Sequence, residues 1–343
     1  MDDAIRQPLD GKPAARVLVA GASGYTGALA ADLIWRHPRL ELVAATSRSE
    51  VGTRLDSLYP RYRASIELTE LDLELLEDVE AAIVAYPHGA SAPTVAALRG
   101  LGILVVDLSA DFRLRDLPTY ERWYGEHGAP ELLEGAVYGL PEVYREQLRT
   151  AELVATPGCY PTASVLALAP LAERGLLTEA FVSAMQGTSG YGRSSDDTVH
   201  FTAMTENAFP YRTEGHRHQP EIEQELAALG SPAPVTFVPH LLPLDQGELA
   251  TCFALLAEPA SQQEVQEMYR ERYADEPFVK VLDGPPNLRA VRDTNECHVY
   301  VTVEERGRVI AFAAIDNIWK GASGQGVQNL NLMLGLDETE GLR

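Results

Sequence analysis

The stretch Arg16-Val-Leu-Val-Ala-Gly21-Ala-Ser23-Gly24-Tyr25-Thr26-Gly27, followed by Ala-Leu-Ala-Ala-Asp-Leu-Ile-Trp-Arg-His37, decides the fold. Arg16–Gly21 is a short apolar run ending in glycine, the pattern of a strand buried on both faces of a parallel sheet. Tyr25–His37 carries apolar residues at helical spacing, and Pro38 stands where a helix must already have stopped. The G-x-x-G-x-x-G loop between them lets a backbone approach a pyrophosphate and points unpaired N–H groups at it from the helix N-terminus. A glycine trio alone also fits a plain turn. In the first strand–loop–helix unit it predicts a dinucleotide site built by Gly21, Ser23, Gly24, Tyr25, Thr26 and Gly27.

Working outward, Leu40–Thr46 reads as the second strand and ends in Thr46-Ser47-Arg48-Ser49. An NAD site usually carries an acidic residue here for the ribose hydroxyls. Hydroxyls and a guanidinium suit a 2′-phosphate instead, so Ser47 and Arg48 point to NADP, against the alternative of a solvated loop arginine. Glu80–Tyr86 and Ile103–Leu108 read as further strands around a helix at Ser91–Leu98. Such alternation means a doubly wound parallel sheet of the Rossmann type.

Around Cys159 the pattern changes. Glu152–Ala155 is a last short strand, and Thr162–Arg174 a helix closed by Gly175, with Pro170 expected to kink or tighten its last turn. His298–Glu304 and Val309–Ile315 alternate about a turn at Arg306-Gly307, and Gln219–Leu229 and Gln262–Tyr273 are helical. The expected organisation is α/β: a dinucleotide-binding domain over 1–157, completed by a C-terminal helix within 318–343. A second α+β domain over 158–317 has a mixed, largely antiparallel sheet.

With 343 residues, 45% hydrophobic and 23% charged, the chain suits two globular domains. Lys and Arg number 28 against 50 Asp and Glu, a balance of −22 that argues against a nucleic-acid partner. Three cysteines without zinc-ligand spacing make neither a disulfide framework nor a metal site. The opening MDDAIRQPLDGKPAAR has no signal-peptide core and no later run spans a bilayer, so a cytoplasmic protein is expected, its first dozen residues loose.

Cys159 lies in Thr156-Pro157-Gly158-Cys159-Tyr160-Pro161-Thr162, at a strand-to-helix junction. The N–H groups and dipole of a helix start favour thiolate, the nucleophilic form. A thiolate can displace phosphate from an acyl phosphate and leave a thioester that accepts hydride. Cys252 and Cys297, among apolar strand residues, read as buried small hydrophobes. His216 and His218 flank Arg217 ahead of a helix and can exchange a proton at neutral pH, though a structural or surface role is the commoner fate of a histidine.

The segment VATPGCYPTASVLALAP resembles the active-site signature of the N-acetyl-γ-glutamyl-phosphate reductases, the arginine-biosynthesis branch of the semialdehyde dehydrogenase superfamily. The likeness extends to the GASGYTG loop, Ala85–Ser91, Val106–Arg113, Gly187–Gly192, His216–Ile222, Phe237–Pro243 and Asp316–Ala322. It implies reduction of an acyl phosphate by NADPH through a thioester on Cys159, with release of inorganic phosphate; a homodimer or homotetramer is expected separately, because an open mixed sheet often buries a face against a copy of itself. It implies a histidine acid/base, for which His218 is preferred over His216. Ser91, Ser189, Gly190 and Asn317 are implied near the nicotinamide, and Arg113, Gln186 and Arg217 as substrate contacts. Two positions depart from the pattern. Gln186 resembles the glutamine with which aspartate-semialdehyde dehydrogenases orient substrate, where this branch has a smaller residue. Gln246 replaces an arginine, so any anion contact made there passes to Arg217, Arg193 or Arg212. Aspartyl phosphate and a carrier-bound aminoadipyl phosphate are the alternative substrates. A dinucleotide sensor without catalysis is the alternative of another class.

Overall fold

The computed structural model describes residues 11–193 and 197–343. The expected loose N-terminal stretch therefore lies almost wholly outside the described residues. The chain divides into two compact units, Met1–Pro157 with Ala322–Arg343, and Gly158–Gly321.

The first unit is built on six strands: β1 (Ala15–Ala20), β2 (Leu40–Thr46), β3 (Ala81–Val84), β4 (Leu104–Asp107), β5 (Ala136–Tyr138) and β6 (Leu153–Ala155). They lie in the order β2-β1-β3-β4-β6-β5, and every pairing is parallel. The apolar runs of the central strands are explained by this position, since β1 from Val17 to Ala20 and all of β3 are buried. The order reverses between β1 and β3, whose carboxyl ends form the switch point where such sheets hold ligands. The helix Tyr25–Arg36 follows β1, buried from Gly27 to Ile34.

Ala322–Arg343 closes this unit through the helix Gly324–Met333, every residue of which is buried. Such a helix cannot be stabilised by an amphipathic face alone. Its polar residues are held individually: Asn329 Nδ2 donates to the Gly139 carbonyl (2.9 Å), and just before it Ser323 Oγ donates to the Thr26 carbonyl (2.7 Å). A return at residue 318 was expected from the sequence. Ile318–Gly321 instead stay with the second unit, and a π-helical turn over Trp319–Ser323 carries the chain across.

The second unit holds a seven-stranded mixed sheet of β7 (Leu177–Gln186), β8 (Phe209–Pro210), β9 (Val235–Leu241), β10 (Glu248–Leu256), β11 (Val279–Val281), β12 (Cys297–Val303) and β13 (Val309–Ile315). Its order is β11-β12-β13-β10-β7-β9-β8. Pairings β7–β9 and β11–β12 are parallel and the other four antiparallel.

Against this sheet packs the helix Cys159–Glu173, three residues longer at its start than the sequence suggests. Pro161 is compatible with this earlier start, because a proline in the first turn removes only an N–H that has no intrahelical partner. Tyr160–Ala172 are all buried. Pro170 breaks nothing downstream, because the helix runs on to Glu173. Its missing N–H orphans the Leu166 carbonyl one turn back, and Tyr273 Oη donates to that carbonyl, as Tyr269 Oη does to Ala167. Both tyrosines come from the helix Gln262–Tyr273. Among the described residues no helix is long and apolar enough to cross a membrane.

Candidate active site

In the first unit the glycine loop turns directly off β1. Gly21 and Ala22 donate their N–H groups to the Thr46 carbonyl (3.1 and 2.8 Å), pinning the loop to the end of β2. Gly24 caps the helix Tyr25–Arg36 with extended backbone and no side-chain bond to the first turn. That leaves the start of this helix to an outside acceptor. A Cβ on Gly27 would overlap the Gly21 carbonyl and press on Ala22 Cα (2.9 Å), so only glycine allows the helix to begin this close to the strand. An uncapped helix start against a backbone cradle fits a dinucleotide pyrophosphate.

Ser47 is buried at the end of β2. It donates to Ser23 Oγ (2.8 Å) and accepts from the Ser49 and Glu50 N–H groups, tying the ribose-side loop to the glycine loop. Arg48 is exposed, its guanidinium 5.1 Å above the Tyr86 ring. Gly21–Gly27, Ser47 and Arg48 are thus gathered in one region.

Ser91 stands at the start of the helix Ala92–Gly100 and donates to Asp107 Oδ1 (2.6 Å). The capping is done by Asp111, which accepts from the N–H groups of Gly89, Ser91 and Ala92 (2.6, 3.0 and 2.9 Å). Burial pushes the Asp107 carboxyl up to about 6, against the hydroxyls of Ser109 and Ser91 that hold it down. Arg113, expected at the substrate, is buried and gives Nε to the Thr156 carbonyl (2.7 Å) and Nη2 to that of Leu108 (2.8 Å). Those two donors organise backbone.

In the second unit Cys159 is the first residue of its helix, behind Gly158 as N-cap. The thiol donates to Gln186 Oε1 at 3.5 Å. Gln186 Nε2 donates to Tyr211 Oη (3.1 Å), Tyr211 Oη to Tyr160 Oη (3.3 Å), and Tyr160 Oη to the His240 carbonyl (3.4 Å). A Cβ on Gly190 would run into the Gln186 amide, so this glycine makes room for the side chain that meets the Cys159 thiol. Ser189 Oγ accepts from Asn317 Nδ2 (2.9 Å), and Asn317 Oδ1 accepts from the Gly247 N–H (2.8 Å). Ser189, Gly190 and Asn317, expected beside the nicotinamide, are therefore seen supporting the strand ends around Gln186.

His216 and His218 are both buried, rings 4.8 Å apart, with Tyr160 edge-on to each at 5.8 and 5.9 Å. Burial drives His216 down to about 3, with Arg212 and Arg217 adding repulsion. It is neutral at physiological pH. Because its Nδ1 accepts the His218 N–H (3.2 Å), its own proton resides on Nε2. Arg217, expected at the substrate, is half-buried and acts on His216 from the adjacent position. Gln246 donates to Asp316 (3.2 Å), itself bonded by the N–H groups of Asp293, Ile318 and Trp319. The residue in place of the family's arginine thus holds a buried carboxylate.

Three participants escape the sequence reading. Glu221, in the first turn after the histidine pair, accepts the Gly158 N–H (2.9 Å) and so grips the residue before Cys159. Tyr211 carries the Gln186 amide. Glu248, fully buried at the start of β10, faces the same cluster. A signal existed for Glu248: it shares the inward register of Ala250, Cys252 and Ala254, where an acid is out of place. Among the described residues no group of three or more His, Cys, Asp or Glu side chains could hold a metal ion.

Residues 16–151 match the model of the semialdehyde dehydrogenase NAD-binding domain, and residues 159–317 that of the semialdehyde dehydrogenase dimerisation domain. The chain is 47% identical over 339 residues to the N-acetyl-gamma-glutamyl-phosphate reductase of Pelotomaculum thermopropionicum, covering 96% of this chain and 98% of that one. It is 47% identical over 334 residues to the enzyme of that name from Moorella thermoacetica, covering 94% and 96%. Among solved structures, aspartate semialdehyde dehydrogenase II of Vibrio cholerae superposes with a TM-score of 0.73 at 16% identity, over 94% of this chain and 98% of that one. The Candida albicans aspartate semialdehyde dehydrogenase with NADP gives 0.71 at 17% identity, over 93% and 98%. At such identities these two likenesses concern the fold.

Proposed function

Because this chain belongs to the N-acetyl-γ-glutamyl-phosphate reductase family of semialdehyde dehydrogenases, we propose that it reduces N-acetyl-L-glutamyl 5-phosphate to N-acetyl-L-glutamate 5-semialdehyde. The observation that carries this reading is the Cys159 thiol at a helix start, bonded to Gln186. Cys159 attacks the acyl carbon, the bond to phosphate breaks, and a thioester remains on the sulfur. The dihydronicotinamide, when bound, supplies the hydride that reduces this thioester.

The helix start lowers the cost of negative charge on sulfur. Gln186, fixed by Tyr211 and by the space at Gly190, orients the acyl group beside it. Neutral His216 presents Nε2–H to the oxygen as it gains charge, a task that needs a donor and no net charge. His218, beside it, exchanges the proton on that oxygen. Glu221 holds the Gly158 N–H and so the entry to the helix.

NADP is the proposed dinucleotide. Gly21, Ser23, Gly24, Tyr25, Thr26 and Gly27 receive its pyrophosphate, and Ser47 and Arg48 its 2′-phosphate. Arg48 is exposed at the end of β2 beside the hydroxyls of Ser47 and Ser23, the chemistry that a phosphate needs. Cytoplasmic residence suits a nucleophile that must stay reduced. We further propose a homodimer or homotetramer, because Phe181 and Phe253 lie paired on β7 and β10 and each is about 40% exposed.

The test is the reverse reaction. Purified protein with NADP, phosphate and N-acetyl-L-glutamate 5-semialdehyde should form NADPH, and Cys159→Ser should reduce the rate by at least about 10³-fold. No NADPH from this semialdehyde would overturn the reading, and a preference for aspartate semialdehyde would move it to the sister substrate. Replacing NADP by NAD should lower kcat/KM, and Arg48→Leu should narrow that difference.

A further inference from the structure

We propose that Glu248 is a second catalytic residue, exchanging a proton directly with the Cys159 thiol. The proposal rests on the thioester reading above and deepens it.

Glu248 opens β10 and is fully buried. In the antiparallel pairing of β10 with β7 its partner is Gln186, the residue that accepts the Cys159 thiol. On its other side it pairs with Ile315 of β13, which brings no charge. Neither carboxyl oxygen completes a hydrogen bond, although a buried carboxyl would ordinarily be satisfied several times over. The polar group that acts on it is the Cys159 thiol, and it in turn acts on Tyr160 and Tyr211. Asp316, the nearest acid along the chain from Ile315, is engaged by Gln246 and three backbone N–H groups. Nothing in the fold requires an acid at this inward position, since the next inward residues of β10 are Ala250, Cys252 and Ala254. A buried acid whose one polar influence is the thiol beside it is a group kept for a proton.

Burial pushes Glu248 up to about 8, close to the range in which a thiol ionises. A proton can therefore pass between the two groups near neutral pH at little cost in either direction. In acylation the S–H bond breaks and its proton goes to a carboxylate oxygen of Glu248. The electron pair left on sulfur forms the C–S bond, and the C–O bond to phosphate breaks with its pair leaving on phosphate. Glu248 is then an uncharged acid beside an uncharged thioester. After hydride addition the thiohemiacetal oxyanion reforms the carbonyl, the C–S bond breaks, and its pair returns to sulfur. The proton stored on Glu248 goes back with it. His216 and His218 serve the oxygen, and Glu248 serves the sulfur.

The test is the alkylation of Cys159 by iodoacetamide as a function of pH, in full-length protein without dinucleotide. Tyr160 and Tyr211 are pushed up by burial and His216 down to about 3, so none of them titrates in this range. Wild-type protein should show two ionisation steps, one for each proton of the thiol–carboxyl pair, and Glu248→Gln should show one. Steady-state kcat of Glu248→Gln should fall by about 10²-fold with KM little changed. Identical single-step profiles and equal kcat would overturn the proposal.

Should Glu248→Gln fail to fold, the wild-type carboxylic-acid C=O band can be followed by infrared difference spectroscopy. Its loss with rising pH should shift when Cys159 is alkylated. A band unaffected by alkylation would equally overturn the exchange. Failure of the parent reading is distinguishable, because it appears as wild-type protein that forms no NADPH at all.

Discussion

The two units build their sites from opposite materials. In the first, the ligand region is made of backbone: an uncapped helix start, two N–H groups tied to Thr46, and glycines where any Cβ would collide. In the second, it is made of buried side chains, with Gln186, Tyr211, Tyr160, His216 and Glu248 linked or stacked around one thiol. A backbone site has no titrating group at its centre and reads charge through fixed dipoles. A side-chain site of this kind stores burial energy in shifted protonation states, which is what proton transfer draws upon. One unit is suited to holding a large anion in one pose, the other to changing the charge of small groups.

The sharpest way to separate them is Gly27→Val. The added side chain has no room beside Gly21 and Ala22, so dinucleotide affinity should fall by about 10³-fold, read by fluorescence titration. Cys159 alkylation should stay at the wild-type rate. A loss of both would mean that the two regions are not independent. Gly190→Ala makes the reciprocal cut. It displaces the Gln186 amide, so kcat should drop by about 10²-fold while dinucleotide affinity holds.

Acid and alkali should also divide the units. His37, in the first, is lowered to about 4 by burial, so the unfolded chain binds more protons between 6.5 and that value. Its contribution to stability is lost as pH falls through this window, by up to about 3 kcal/mol. Glu248, in the second, is raised to about 8, so the folded chain binds more protons between 4.5 and 8. Its contribution is lost as pH rises. Hydrogen-exchange protection should therefore weaken toward acid around the helix Tyr25–Arg36 and toward alkali around β10. His37→Gln and Glu248→Gln should each flatten the corresponding trend. The smallest effect is expected of Gln246→Arg, which exchanges a hydrogen bond to Asp316 for an ion pair. Stability by urea unfolding should change by no more than about 1 kcal/mol, with KM for the semialdehyde unchanged.

The backbone site was the more legible of the two. Glycine spacing, the strand before it and the helix after it are all local, and β2 lies at the expected Leu40–Thr46. NADP preference, by contrast, rests on one exposed arginine. In the second unit Cys159 stood out, since a cysteine between glycine and an apolar helix has few other readings. Its surroundings did not, because they come from residues tens of positions apart. Tyr211 and Gln186 meet only through the order of β7, β9 and β8, which no local pattern announces. The helix starts at Cys159 and not at Thr162, and its first turn accommodates Pro161 because the N–H that proline lacks has no intrahelical partner there. Arg113 was expected at substrate and gives two donors to carbonyls, a use that sequence cannot distinguish from anion binding.

The helix Gly324–Met333 has a consequence for the order in which the protein is made. The second unit is contiguous, whereas the first lacks its buried closing helix until the ribosome has passed residue 333. Until then β1 to β6 have emerged, but Thr26 and Gly139 still await Ser323 and Asn329. The unit translated first is thus the one finished last. Cys159 is housed while the dinucleotide cradle is still being assembled, so nascent chains stalled before residue 322 should protect β10 from proteolysis sooner than β1.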